Sequence, residues 1–78
     1  MGDRNYVEPR WVSDGMVVYL PWNKETNRPG YSASGTALRC TVAVAAGHHA
    51  RIVNSKYGVD RWYPLTALYV PPDSPAAR

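Results

Sequence analysis

At 78 residues the chain is long enough for one domain, and it buries only about 60% of the surface its unfolded form would expose. Apolar residues make up 45% and charged residues 19%, with three Trp, six Tyr and no Phe; this is a globular composition, which excludes a disordered chain. The net charge of +3 suits an anionic partner, falls short of the dense basic footprint of a dedicated nucleic-acid binder, and accompanies no apolar run near the ~20 residues needed to span a membrane.

Residues 1–14 contain Pro9 and no periodic pattern, and read as an extended arm with Trp11 and Val12 available to pack on a domain. Met1-Gly2-Asp3-Arg4-Asn5 lacks the charged-then-apolar order of a signal peptide. Cys40 is the single cysteine, so no intrachain disulfide forms, and the expected location is the cytoplasm. Asp14-Gly15 marks a turn. Met16-Val17-Val18-Tyr19-Leu20 is rich in β-branched and aromatic residues and is expected to form the first strand, stopped by Pro21.

Pro21 to Gly35 reads as a long polar connection. Its Arg28-Pro29-Gly30-Tyr31 has the Pro-then-Gly order of a type II turn, and Ser32-Ala33-Ser34-Gly35 is small and flexible. From Thr36 to Ala45 the alternation is clear: Leu38, Cys40, Val42 and Val44 are expected inward, with Arg39, Thr41, Ala43 and Ala45 outward. Ala46-Gly47-His48-His49 is a hairpin turn, Ala50 to Val53 a strand with Ile52 inward and Arg51 outward, and Val59 to Tyr63 a further strand. Pro64 stops it. Leu65 to Leu68 suits one helical turn, Tyr69-Val70 a last short strand, and residues 71–78, with Pro71, Pro72 and Pro75, a disordered tail.

A strand, a long loop, a three-strand meander, a helical turn and a closing strand together match an all-β, five-stranded SH3-like barrel over residues 15–70. Trp62-Tyr63-Pro64-Leu65-Thr66-Ala67-Leu68 resembles the Tyr-Pro-x-x-Ala-Leu ending of the type II, trimethoprim-resistant dihydrofolate reductases, which are small barrels carried on plasmids and integrons. That resemblance implies a mobile gene cassette as origin and a central pore shared by four copies. It also implies an NADPH-binding alternative in which Arg61 meets phosphate and Tyr63 lines the pore. Of the Val-Gln-Ile-Tyr run that precedes the proline in that family, Asp60-Arg61-Trp62-Tyr63 retains only Tyr63.

No pair of carboxylates stands out for acid–base chemistry, and no catalytic residue is assigned. Adjacent His48 and His49 point to opposite faces in a strand and have no further ligands at hand, so no metal and no cofactor is expected. The candidate ligand-binding residues are Arg39, Arg51 and Arg61, expected as a cationic row across three strands, together with Trp62, Tyr63, Trp22 and Tyr31. The expected function is non-catalytic binding of a protein or an anionic ligand by a self-associating barrel, on a surface that combines the Trp22–Gly35 loop with Arg61, Trp62 and Tyr63. Nucleic-acid binding along the arginine row is the less favoured alternative. Small core size and the Trp and Tyr content argue for the homo-oligomer.

Overall fold

The computed structural model describes residues 6–23, 25–30 and 37–77. Five strands form one antiparallel sheet: β1 (Val17–Asn23), β2 (Arg28–Pro29), β3 (Ala37–Ala46), β4 (His49–Asn54) and β5 (Val59–Pro64). Their spatial order is β2-β1-β3-β4-β5, and the sheet curls into a half-barrel. Helical structure among the described residues is confined to two 3-10 turns, Leu65–Ala67 and Pro75–Ala77. Among the described residues, no helix is long and apolar enough to cross a membrane.

The core follows from strand alternation. Val18, Leu20 and Trp22 from β1, Leu38, Cys40 and Val42 from β3, Ala50 and Ile52 from β4, and Val59 from β5 fill the concave side. Leu68 and Val70 complete it. Ile52 is fully buried and Arg51 exposed, the phase expected of that strand. Gly47 and His48 make the two-residue turn between β3 and β4, with Gly47 at φ 65°, a conformation glycine adopts without steric cost.

Four expectations are corrected. Pro21 does not stop the first strand: β1 continues through Pro21 and Trp22 to Asn23. Pro21 opposes Ala37, the first residue of β3, so its missing N–H falls where that ladder ends. Its carbonyl accepts from the Gly30 N–H at 3.1 Å. The polar connection is thereby shortened by the β1–β2 hairpin. Val44 is not inward but 40% exposed. The register shifts between Val42 and Val44, and the one-residue bulge at Ala43 reverses the facing of the residues after it. Trp11 is also exposed, whereas Val12 packs against the core as expected.

The chain ends form the fourth correction. The sheet's fifth strand is Arg28–Pro29, while Tyr69 and Val70 make single bridges to Tyr19 and Val7. Residues 71–77 do not form the expected disordered tail. The Ser74 hydroxyl and carbonyl accept from Ala76 and Ala77 N–H, the Arg10 N–H donates to the Ala76 carbonyl at 2.7 Å, and Ala76 is buried. Alanine is small enough to be covered by the arm, and these bonds satisfy a segment whose three prolines supply few donors of their own.

Candidate functional site

The parity of β5 decides which candidate side chains meet. Arg61 opposes Ile52, and Trp62 opposes Arg51. Directly opposed residues share a face, so Val59, Arg61 and Tyr63 lie on the concave side and Asp60 and Trp62 on the convex side. Arg61 therefore points away from Arg39 and Arg51. Arg39 and Arg51 are separated along the sheet as well: Arg39 opposes Tyr19 on β1, whereas Arg51 sits beyond the bulge, opposite Val44. The expected row of three arginines does not form.

Arg51 is also occupied. Its Nε and one terminal nitrogen donate to the two carboxylate oxygens of Asp60 at 2.7 and 2.8 Å, a bidentate pairing. The hydrogen bond from Arg51 holds the Asp60 carboxyl below its ordinary range, and the same bond raises the Arg51 guanidinium. Trp62 lies beside this pair and is 54% exposed. Val44, Arg51 and Trp62 thus stand in register across three strands on the convex face.

A different grouping appears on the other side. A cleft of about 380 Å³ opens between the β1–β2 hairpin and β5, bounded by Trp22, Arg28, Pro29, Tyr57, Arg61 and Tyr63. Trp22 is 6% exposed and belongs to the core; its indole N–H donates to Asn27 Oδ1 at 3.3 Å. Asn27 holds a left-handed φ of 54°, which a short amide side chain tolerates. Three candidates, Trp22, Arg61 and Tyr63, are brought together here. Tyr31 lies outside the described residues, as do Lys24 and Ser32 to Gly35.

The cleft is cationic and aromatic. Arg28 and Arg61 are exposed and reach it from opposite sides. Among the described residues, Arg51–Asp60 is the one ion pair, so neither cleft arginine is neutralised by a carboxylate there. Tyr63 has a buried hydroxyl with no hydrogen-bond partner among the described residues. Burial raises its phenol above the ordinary value, while the charge of Arg61 pulls the other way. Burial likewise pushes the Cys40 thiol up to about 11, against a hydrogen bond with Asn54; a proton held this firmly excludes a thiolate nucleophile at neutral pH.

A larger depression of about 570 Å³ lies by the 55–58 turn, where Arg39 and Lys56 share the rim with Asp60. It lacks an aromatic wall and its charges are mixed, so it is the weaker candidate. His48 sits in the β3–β4 turn and His49 begins β4, both exposed. Among the described residues, no group of three or more His, Cys, Asp or Glu is gathered as for a metal.

The expected surface joins the 22–35 loop, which carries Arg28, to Arg61, Trp62 and Tyr63, and the cleft brings Trp22, Arg28, Arg61 and Tyr63 together, without Trp62; what the sequence does not single out is Arg28 itself within that loop. It lies 33 positions before Arg61, in a segment read as a loop, and no local pattern links the two. No family model matches the sequence, and no curated protein or solved structure matches it either.

Proposed function

We propose that this chain is a non-catalytic binding protein whose site is the cleft between β2 and β5, and whose ligand places an anionic group beside a flat or apolar one. The observation that carries this reading is the pair Arg28 and Arg61, without a carboxylate partner among the described residues, in one cleft with Trp22 and Tyr63. Guanidinium groups present forked donors to a carboxylate or phosphate, and aromatic walls supply apolar area with fixed geometry. The cleft volume is within the range of small-ligand sites. The half-barrel is read as SH3-like on its meander of β3, β4 and β5, the 3-10 turn after Pro64, and the return of Tyr69–Val70 to the first strand.

Phenyl phosphate, phenol and benzylamine, titrated in turn and followed by two-dimensional NMR, test the site. Phenyl phosphate is expected to shift the Trp22 indole N–H and the Gly58 and Val59 amides, and Arg61→Ala to weaken it at least threefold. Equal shifts from benzylamine, or shifts confined to the convex face, would overturn the reading. NADPH as a fourth probe examines the reductase-like alternative; its binding has to weaken in both Arg61→Ala and Tyr63→Phe for that alternative to stand.

A second reading is self-association through the convex face. It is favoured by Val44 and Trp62, both exposed, flanking the Arg51–Asp60 pair. A patch that carries its own opposite charges beside an aromatic anchor can meet a second copy of itself about a two-fold axis.

A further inference from the structure

The cleft is also a gap in the hydrogen bonding of the sheet. Among the described residues, β2 and β5 are its two free edges: β2 pairs only with β1, and β5 only with β4. Each edge strand turns alternate N–H and C=O groups away from its one neighbour. Side chains of both edges line the same cleft, Arg28 and Pro29 from β2, and Val59, Arg61 and Tyr63 from β5. Among the described residues, the half-barrel therefore presents unpaired backbone and unpaired positive charge at the same place.

We propose that the cleft takes an extended acidic segment of a partner protein, which adds to the free edge of β5 as a further strand. The proposal rests on the anionic-ligand reading above and says what carries the charge. β5 is the docking edge because it offers six residues with proline only at its end, whereas β2 has two residues, one of them Pro29. The unpaired edge calls for a partner with its own N–H and C=O groups at strand spacing, which a peptide has and a nucleic-acid backbone lacks. In a strand, alternate side chains face the same way. Every second residue of the guest thus faces the cleft, where carboxylates meet Arg61 and Arg28. The intervening residues continue the convex face beside Trp62 and are apolar or small. The guest is an alternating acidic–apolar segment of about five residues, the length that matches β5 at ~3.4 Å per residue.

The probe is the peptide acetyl-Glu-Val-Glu-Val-Glu-amide, titrated into the full chain by calorimetry. Two N-methylated versions block the backbone donors of the glutamates or of the valines. Only one set of donors faces β5, so one version is expected to lose about tenfold in affinity, the effect of one or two hydrogen bonds, while the other changes less than twofold. Arg61→Ala and Arg28→Ala, both at exposed positions, are each expected to weaken the parent peptide at least fivefold, and the all-lysine analogue to show no heat. Equal effects of the two methylation patterns would overturn strand addition, and so would binding of the lysine analogue. If phenyl phosphate enters the cleft but the parent peptide does not bind, the strand proposal fails and the anionic-ligand reading survives. If neither binds, both fail.

Discussion

Tyr63 holds a hydroxyl that nothing satisfies among the described residues, and a buried polar group without a partner costs free energy comparable to a lost hydrogen bond. Tyr63→Phe removes that cost while keeping the ring in the cleft wall. Chemical denaturation is expected to show the variant more stable by about 1 kcal/mol; unchanged or reduced stability would mean that the hydroxyl has a partner in solution. Cys40 gives a pH dependence. Its native thiol titrates at about 11 against an ordinary 9.0, so between these values the folded chain holds more protons than the unfolded one. Stability supported by the neutral thiol is therefore complete below pH 9 and declines as pH rises toward 11. The raised phenol of Tyr63 acts in the same direction above pH 10. Urea midpoints measured from pH 7 to 11 are expected to fall from pH 9 upward, and Cys40→Ala to lose the portion of that slope between 9 and 11.

At the level of the element, the bulge in β3 is the feature that local pattern could not disclose. Leu38, Cys40 and Val42 alternate inward as their spacing predicts, and the same period would carry Val44 inward too. What reverses it is distant in sequence: Asp14 Oδ1 accepts from the Ala45 N–H at 2.8 Å, and the Gly15 N–H donates to the Val42 carbonyl at 2.7 Å. Contacts across some thirty residues set the facing of Val44, and no window along β3 contains them. The parity of β5 was equally hidden, because the 55–58 turn decides whether Arg61 or Trp62 faces the core. Hence Trp22, Arg61 and Tyr63, and their grouping with the loop that carries Arg28, were legible as candidates by residue type, but the turning of Trp62 to the other face, and the separation of Arg39 from Arg51, were not. Asp14→Ala tests the role of that contact. It is expected to cost about 1 kcal/mol and to speed exchange of the Ala45 amide. An unaltered exchange rate would show that the bulge is held by the backbone alone.

The whole molecule is small, and its convex face leaves Val44 and Trp62 uncovered. If that face joins two copies, sedimentation equilibrium at micromolar concentration will give a mass above the 8.7 kDa of one chain, and Trp62→Lys will return it to 8.7 kDa. A single 8.7 kDa species across the concentration range would refute the self-association reading and leave the cleft reading untouched, since the two surfaces lie on opposite sides of the sheet. The arm and the chain end join in the same architecture. Tyr6 lies against Tyr19 with ring centroids 4.8 Å apart, and Val7 bridges Val70, so residues far from the meander help cover the core.

The three indoles divide in a way that has a practical outcome. Trp11 and Trp62 are 46% and 54% exposed, whereas Trp22 is 6% exposed and borders the cleft. Iodide in the solvent will extinguish the emission of the first two and spare the third. The light that remains is then a native optical gauge of cleft occupancy, blue-shifted by its dry surroundings and changed by whatever comes to lie against it, with no dye or tag attached.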